Sequence, residues 1–278
     1  ALEAGERAEW TVSLPQAGRY RLSLTYLAQS RDGQAPAVTV LLNGEAPFEQ
    51  SGGLELDTVW MDDGVTQTDN RGNQLQPDAW EEAGSHTMVL RDNSTVHDGE
   101  LFLALPAGET ALAVEAVQPL ILYEVRLLPP AGTPAYAEVS AAYPSVRTDA
   151  VLEKEAEDLA ERSDAAIRRQ NDQSDPSVSP NSPRSLLLNT VGGSSWKQPG
   201  QSITWRLEVP EDGLYTLSFR YRQDLVAGLP SFRRLLIDGE LPFAEMQAVA
   251  FPYSSSWRTL TLADGQGEPY QFYLEQGE

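Results

Sequence analysis

The sequence predicts an all-β protein made of two antiparallel β-sandwich modules in tandem. Three observations lead to this prediction. Apolar and polar residues alternate with a period of two over many short stretches, the chain contains 21 Gly and 19 Pro, and one block of sequence occurs twice. Alternation of this kind buries one face of a strand, and frequent Gly and Pro favour turns over long helices.

The repeat is visible without gaps. Residues 5–26 match residues 200–221 at a constant offset of 195, so that Trp10 aligns with Trp205. Within each copy, a Trp-x-x-x-Leu or Trp-x-Leu-x-Val stretch and a Tyr-x-Leu-x-x-x-Tyr stretch flank a turn that contains Pro and Gly. Each of these stretches is therefore predicted to be a strand with one buried face.

A second feature of the repeat is a change of register. Residues 103–109 match residues 272–278 at an offset of 169, so the first copy contains 26 extra residues before this block. We predict a first module at 1–130, a linker at 131–149 and a second module at 150–278. Because two final strands at 112–127 of the first copy and the lead-in at 151–204 of the second lack equivalents, we expect a fragment of a longer protein. Its open sheet edges would be covered by the other copy or by partner chains.

Turn signals support the strand assignment. Asn43-Gly44 and Asp238-Gly239 stand at equivalent positions between apolar runs, which predicts two-residue hairpins with positive φ at both central residues. Helical spacing occurs only at 153–167, whose first residues could instead form a strand. The polar stretch at 168–184 is predicted to be a loop.

Composition limits the function. Forty-one acidic residues against 20 basic ones give a net charge of −21, which disfavours nucleic acid and anionic membranes as partners. No apolar run is long enough to span a membrane. The chain has no Cys, only His86 and His97 as histidines, and no recognised catalytic motif. We therefore expect a binding protein and not an enzyme. The alternative that stays open is a glycoside hydrolase, because its two catalytic carboxylates are defined by their separation in space and leave no motif in the sequence.

Aromatic and amide side chains on loops suggest carbohydrate binding, because sugars stack on rings and hydrogen-bond to polar side chains. The second copy supplies Asn189, Trp196, Arg222, Tyr253 and Trp257, and the first copy supplies Trp60, Asn70, Arg71, Asn73 and Trp80. The alternative for the second copy is that the tryptophans cap the core and the arginines lie on solvated strand faces. For the first copy it is a loop held by hydrogen bonds between its own side chains and backbone.

Several motifs resemble a known family. The sequences at 152–158, 189–196, 200–205 and 209–215 resemble carbohydrate-binding modules of families 6 and 35, and those at 237–243, 251–257, 269–274 and 69–73 resemble the N-terminal region of long extracellular solute-binding proteins from Firmicutes. The resemblance implies galactose-binding-like jelly rolls that precede the sugar receptor of an ABC importer. It implies a lipid-anchored, cell-surface location, and contacts with the rest of that receptor and its permease.

The same resemblance implies one metal site. In such modules a Glu-Ala-Glu strand often supplies ligands to a structural calcium ion, and this motif corresponds to Glu155 and Glu157. No other cofactor is predicted. The leading hypothesis is a non-catalytic region that binds an oligo- or polysaccharide for sugar uptake, and the alternative is a structural spacer or protein-interaction region without a glycan site.

Overall fold

The computed structural model describes residues 1–29, 35–92, 99–130 and 132–277. Strands account for 41% of the residues and helices for 6%, and the named strands pair in antiparallel fashion. The prediction of an all-β antiparallel protein is therefore confirmed. His97, Ala131 and Glu278 lie outside the described residues.

The strands in the N-terminal half, residues 1–130, are β1 (Arg7–Leu14), β2 (Gly18–Ala28), β3 (Ala37–Leu42), β4 (Leu54–Glu55), β5 (Trp60–Asp62), β6 (Ala79–Glu81), β7 (His86–Val89), β8 (Arg91–Asp92), β9 (Gly99–Glu100), β10 (Phe102–Leu105), β11 (Gly108–Ala116) and β12 (Leu120–Leu128). A short helix, α1 (Tyr136–Ser140), follows. The strands in the C-terminal half, residues 150–277, are β13 (Glu161–Arg162), β14 (Arg169–Gln170), β15 (Thr190–Val191), β16 (Ile203–Thr204), β17 (Gly213–Tyr215), β18 (Ser218–Gln223), β19 (Ser231–Arg233), β20 (Val249–Phe251), β21 (Ser254–Thr261) and β22 (Phe272–Leu274).

Two four-stranded sheets enclose the core of the N-terminal half. One has the order β1-β11-β3-β4, and in the other β2 pairs with β10, β12 and β7. Leu24 and Tyr26 of β2 are fully buried in one apolar cluster with Val38 of β3 and Val114 of β11. Burial of these side chains from both sheets supplies the main stabilisation of this half. The two predicted final strands are confirmed as β11 and β12.

The predicted hairpin turns are also confirmed. Asn43 and Gly44 have φ values of 52° and 83°, and Asp238 and Gly239 have values of 53° and 80°. Asn and Asp tolerate this left-handed conformation better than most residues, and Gly adopts it without steric cost. The Asn43 side chain also accepts a hydrogen bond from the backbone N–H of Ala111 at 2.9 Å, which ties the turn to β11.

The C-terminal half contains shorter strand pairs around its own core. The pairs are β17–β22, β18–β21, β19–β20 and β14–β15. Phe243, Met246 and Phe272 are buried there, and Tyr136 of α1 packs against Phe243 with ring centroids 4.9 Å apart. The segment predicted as a linker therefore packs on the C-terminal half, where Arg147 also forms a parallel bridge with Leu214.

The pairing register is the same in both halves. In the N-terminal half Leu105 pairs with Gly18, and in the C-terminal half the residues at offsets 169 and 195, Leu274 and Gly213, form the equivalent pair. At the same offsets, the Leu14–Gly108 pair corresponds to the Val209–Gly277 bridge. The sequence repeat is thus also a repeat of backbone hydrogen bonding.

The halves differ after the first rung of that ladder. Trp10 pairs with Leu112 of β11, whereas residues 205–208 form no strand. Their exposure still alternates, with Trp205 and Leu207 half-buried between exposed neighbours. The extended conformation is present, but no strand equivalent to β11 lies beside it among the described residues.

The prediction of helical structure at 153–167 was wrong, and so was the alternative of a strand in its first residues. Residues 153–160 form an irregular segment with a turn, and only Glu161–Arg162 is a strand. Among the described residues the α-helix is α1, which the sequence pattern did not indicate. Among the residues described, no helix is both long and apolar enough to cross a membrane.

One sheet joins the two halves. Its order is β16-β13-β5-β6, so strands from the extra residues of the first copy pair with strands from the lead-in of the second. Arg162 of β13 is the register partner of Trp60 of β5. Close by, the Thr58 hydroxyl donates a hydrogen bond to the carbonyl of Ser163 at 2.9 Å.

Candidate functional site

Three of the predicted binding residues contact Asp172, a residue that no sequence pattern indicated. The Asp172 Oδ2 atom accepts hydrogen bonds from the Trp257 indole N–H and from Arg222 Nη1, each at 2.7 Å. The Ser174 backbone N–H and hydroxyl donate to Oδ1 at 2.7 and 2.6 Å. Asn189 forms hydrogen bonds with the backbone of Asp172. We call Asp172, Asn189, Arg222 and Trp257 the Asp172 cluster.

Asp172 remains a charged acceptor although it is only 8% exposed. Burial raises its pKa, but the hydrogen bonds from Ser174 and Trp257, together with the nearby charge of Arg222, outweigh burial and lower the pKa below the usual value. An ionised carboxylate with this many donors is a rigid anchor, because each donor is held by a charge-assisted hydrogen bond.

Asn189 acts on the loop backbone. Its Oδ1 atom accepts from the Asp172 backbone N–H at 2.7 Å, and its Nδ2 donates to the carbonyls of Asp172 and Pro180, both at 2.9 Å. The side chain is 4% exposed. Its polar atoms are thus committed to the protein, and Asn189 positions the cluster without facing a ligand.

Arg222 and Trp257 form the accessible part of the cluster. The guanidinium carbon of Arg222 lies 5.6 Å from the Trp257 ring centroid, and the Arg222 side chain keeps 31% of its surface exposed. Nη1 and Nε of Arg222 are used by Asp172, Ser174 and Asp224, whereas Nη2 has no partner among the described residues. A half-buried aromatic ring beside a donor of this kind can stack on a sugar and donate to a hydroxyl group.

Trp196 and Tyr253, the other two binding residues predicted in this half, are not members of the Asp172 cluster. The indole of Trp196 donates to the Gln201 carbonyl at 3.0 Å, and the guanidinium carbon of Arg233 lies 4.5 Å from its ring centroid. Burial lowers the pKa of Arg233, which is not among the predicted binding residues. Tyr253 is half-buried just before β21.

In the N-terminal half, the predicted polar residues form a turn that holds itself together. Asp69 Oδ1 accepts from the backbone N–H groups of Arg71 and Asn73 at 2.8 and 2.9 Å, and Asn73 Nδ2 donates to Asp69 Oδ2 at 2.9 Å. Hydrogen bonds from the side chain and backbone of Asn73 lower the pKa of Asp69. Asn70 and the Arg71 side chain are exposed on this turn.

The tryptophans of this half do not form one aromatic pair. Met61 pairs with Trp80 across β5 and β6, and Trp60 pairs with Glu81. Because neighbouring residues of a strand point to opposite faces, Trp60 and Trp80 lie on opposite faces of this ribbon. Trp60 is half-buried with its indole bonded to Thr58 at 3.1 Å, and Trp80 is 45% exposed.

The same loop contributes to the contact between halves. Asn73 Oδ1 accepts from the Leu186 backbone N–H at 2.8 Å, and Gln74 Oε1 accepts from the Leu188 N–H at 2.6 Å. The carboxylate of Asp62 pairs with Arg162 and Arg169 at 2.5 and 2.7 Å. Asn73 therefore fixes the neighbouring half, a role that local sequence patterns do not reveal.

The two predicted calcium ligands occupy different surroundings. Glu155 is exposed, whereas Glu157 is 7% exposed. Burial raises the pKa of Glu157 to about 7, its own backbone N–H lowers it, and the charges of Glu155 and Asp158 raise it further while Arg169 lowers it. No group of three or more potential ligands gathers there among the described residues. Glu155 and Glu157 have the oxygen ligands that calcium prefers, but only two of the several it requires.

An open cleft of about 290 Å³ lies elsewhere, and none of the predicted residues lines it. Its walls are formed by Leu152, Lys154, Arg206, Leu207 and Glu208. His86, on β7, has its ring centroid 6.2 Å from that of Tyr26.

Comparison of the chain with family models, curated proteins and solved structures found no match.

Proposed function

We propose that this chain is a non-catalytic carbohydrate-binding region of a cell-surface sugar-uptake protein, and that the Asp172 cluster contains its main glycan contacts. The observation that carries the proposal is the convergence of Arg222 and Trp257 on one buried, ionised carboxylate. This anchor holds a ring and a guanidinium donor in fixed positions at the surface, as recognition of a sugar face and its hydroxyl groups requires.

The proposed fold is a pair of galactose-binding-like β-sandwich modules in tandem. In its favour, both halves keep the same strand register at the repeat offsets, and each has its own apolar cluster. A saccharide would bind to the loops of the second module. Attachment to a solute-binding protein, a lipid anchor, a structural calcium ion at Glu155 and Glu157 and contact with an ABC permease are further parts of the proposal that rest on the family resemblance alone.

The second candidate function is a structural spacer or protein-interaction region. It is favoured by the sheet shared between the halves and by the Asp62 ion pairs, which fix one half to the other. Trp60 and Asn73, two residues predicted to bind sugar, contribute hydrogen bonds at or near this contact. The two candidates differ in whether the Asp172 cluster binds a ligand.

The test is a glycan array with the 278-residue chain, followed by calorimetry on each glycan retained. Trp257→Ala and Arg222→Ala should each weaken binding by about tenfold or more, since one stacked ring or one charged donor contributes roughly 1 to 3 kcal/mol. Trp257→Phe separates the two roles of the indole, because it keeps a ring but removes the donor to Asp172.

Trp10→Ala is the matched control, because Trp10 is a partly exposed strand tryptophan outside the predicted sites. Circular dichroism and melting temperatures should show that each variant is folded. Equal affinity for Trp257→Ala and Trp10→Ala would contradict the placement of the site. Failure of the folded chain to bind any glycan on an array of plant and host structures would favour the spacer function.

A further inference from the structure

Strands β5 and β6 form a ribbon that interrupts the repeated fold. β4 pairs with β3 and β20 pairs with β19 in the same register at the repeat offset, so β4 and β20 are equivalent strands. β7 and β21 are equivalent in the same sense, as partners of β2 and β18. Residues 56–85 lie between β4 and β7, whereas only residues 252 and 253 lie between β20 and β21. β5 and β6 therefore lie in an insertion, and the repeated fold has no strand that belongs beside β6.

One face of this ribbon is buried against the C-terminal half. Trp60 and Asp62 share that face, because alternate residues of a strand point to the same side. The Asp62 carboxylate pairs with Arg162 and Arg169, and its side chain is 7% exposed. The opposite face of the ribbon, which we call its outer face, therefore points away from this contact.

The outer face presents Trp80 between carboxylates. Trp80 pairs with Met61, and the ladder continues by one rung at each end of β6. The Asp63 N–H donates to the carbonyl of Asp78 at 2.7 Å, and the Glu82 N–H donates to a carbonyl of the neighbouring segment at 2.8 Å. Asp78 and Glu82, two residues before and after Trp80, are therefore on its face, with Asp63 opposite Asp78. The Trp80 side chain is 45% exposed.

The carboxylates of this face are free to bind a cation. Asp63, Asp78 and Glu82 form no ion pair or side-chain hydrogen bond with any residue that the structure describes, in contrast to Asp62 on the buried face. A Lys or Arg side chain binds over the ring of a tryptophan, and neighbouring carboxylates strengthen its attraction. The outer face is thus complementary in charge and in ring chemistry to a cationic side chain.

β6 also has a free backbone edge. It is the last strand in the order β16-β13-β5-β6. In an antiparallel pair, residues that bond to the neighbouring strand alternate with residues whose backbone groups point away from it. Because Asp78 and Glu82 bond to the β5 side, the N–H and C=O groups of Ala79 and Glu81 point to the free edge. They have no backbone partner among the residues described. Such an edge binds an extended segment by backbone hydrogen bonding.

The charge of the edge selects its occupant. A second copy of this chain would place the same acidic residues opposite each other, and like charges on facing strands destabilise the pairing. An acidic segment is repelled in the same way by a chain of net charge −21. A basic segment is attracted, and its cationic side chains are those that an exposed ring such as Trp80 binds.

We propose that the free edge of β6, together with Trp80, Asp78 and Glu82, is an interaction site for a basic, extended segment of a partner protein. The segment adds to the four-stranded sheet as a fifth, antiparallel strand. Lys or Arg at every second position lies over Trp80 and beside the two carboxylates, and the residues between them bond to Ala79 and Glu81. This interaction is separate from glycan binding at the Asp172 cluster.

The probe is the synthetic peptide Lys-Thr-Lys-Thr-Lys-Thr-Lys, whose Thr residues would lie opposite Ala79 and Glu81. Its control, Lys-Pro-Lys-Pro-Lys-Pro-Lys, has the same charge but lacks the N–H groups at those positions. Fluorescence anisotropy should show saturable binding of the first peptide to the intact chain, about tenfold tighter than binding of the control. Hydrogen–deuterium exchange should become slower over residues 77–83. Equal affinities for the two peptides, or no binding at about 1 mM, would overturn the proposal.

A matched pair of substitutions tests the backbone edge. Glu81→Pro and Glu81→Gln both remove one charge, but only Glu81→Pro also removes the N–H at the free edge, where an edge strand tolerates proline. We expect Glu81→Pro to bind the Lys-Thr peptide about tenfold more weakly than Glu81→Gln. Equal affinities of these two variants would overturn the added strand. If Glu81→Pro does not fold, the exchange pattern of the unsubstituted chain decides.

The side chains of the outer face are tested separately. Trp80→Ala should weaken peptide binding about two- to fivefold, the effect of one exposed cation–π contact. Asp78→Asn combined with Glu82→Gln should weaken it more than Glu45→Gln combined with Glu109→Gln, which removes the same charge from exposed positions elsewhere in this half. Equal losses would assign binding to the net charge of the chain and overturn the site. So would a dimer that the peptide dissociates, or a neutral glycan that requires Trp80 when the peptide does not.

Discussion

Arg162 and Asp62 form an ion pair that is almost completely removed from solvent, with 2% and 7% of their side-chain surfaces exposed. The two residues come from different halves of the chain. Asp62 also pairs with Arg169, whose side chain is 14% exposed. Arg162 Nε is buried without a hydrogen-bond partner among the described residues, so Asp62 provides most of the compensation for its buried charge.

Asp62→Asn should therefore destabilise the chain strongly. The substitution leaves two buried or half-buried guanidinium groups without their carboxylate, and loss of one partner of a buried pair costs about 3 to 5 kcal/mol. Urea unfolding followed by tryptophan fluorescence measures the change. Asp63→Asn is the control, because Asp63 is the exposed neighbour. Identical midpoints for the two variants would show that the pair does not stabilise the contact between halves.

The buried carboxyl group of Glu157 predicts a dependence of stability on pH. Its folded pKa of about 7 lies above the value of 4.5 expected in the unfolded chain. The folded state therefore favours the protonated form, so the contribution of Glu157 is fully present below about pH 4.5 and is lost as the pH rises to about 7. The charges near this group are Glu155 and Asp158, which oppose its ionisation, and Arg169, which favours it.

Glu157→Gln should remove this contribution to the pH dependence. We expect the variant to be more stable than the unsubstituted chain at pH 8 by about 1 to 2 kcal/mol, because the cost of an ionised buried carboxylate is reduced by partial solvation. Unfolding is measured from pH 5 to 8 in buffer with a calcium chelator. Glu155→Gln, at an exposed position, is the control. A parallel pair of stability curves for Glu157→Gln and the unsubstituted chain would contradict the prediction.

Asn189→Ala should lower the stability of the protein, because Asn189 holds the loop backbone and does not face a ligand. The substitution leaves the N–H and C=O of Asp172 and the carbonyl of Pro180 without their partner. Buried polar groups without partners cost about 1 to 3 kcal/mol. Thermal unfolding of this variant is compared with that of Asn181→Ala, which changes an exposed Asn of the same loop. Equal melting temperatures would show that the buried amide does not hold the loop.

Gly213→Ala tests the packing of the segment before the C-terminal half. A Cβ atom on Gly213 would lie 2.6 Å from Thr148 Cγ2 and 2.8 Å from Thr148 Cβ. We expect a loss of about 1 to 3 kcal/mol from this steric conflict, measured by urea unfolding. Thr148→Ala in the same chain should recover part of the loss, because it removes one of the two conflicting atoms. If Thr148→Ala recovers no part of the loss, the contact with Thr148 is not the cause of the destabilisation.

The sequence predicted those parts of the fold that depend on neighbouring residues. The positive φ values at Asn43 and Asp238 follow from two-residue turns between apolar runs, and β11 and β12 follow from alternation. The helical interpretation of 153–167 failed because the spacing of residues along the chain does not show contacts with distant residues. Arg162 is instead buried against Asp62, which belongs to the other half.

The Asp172 cluster shows the same limit at the candidate site. Trp257 and Arg222 were selected from the sequence, but their common acceptor lies 85 and 50 residues away along the chain. Nothing in the polar loop around Asp172 distinguishes this residue from Asp175, which bonds to Ser177 locally as Asp172 does to Ser174. Only the strands β18 and β21, which carry Arg222 and Trp257, determine which of the two carboxylates becomes shared.

The sheet that combines β5 and β6 with β13 and β16 also affects the order of assembly during synthesis. Thr58 and its partner Ser163 are separated by 105 residues. When the N-terminal strands have left the ribosome, β5 and β6 can pair with each other. β13, the strand that pairs with β5, has not yet been released. The entropy of closing a long loop makes such a contact late even after synthesis ends. We therefore expect the core of the N-terminal half to form first and the shared sheet to close last, so that this ribbon is the surface most exposed to misassembly in between.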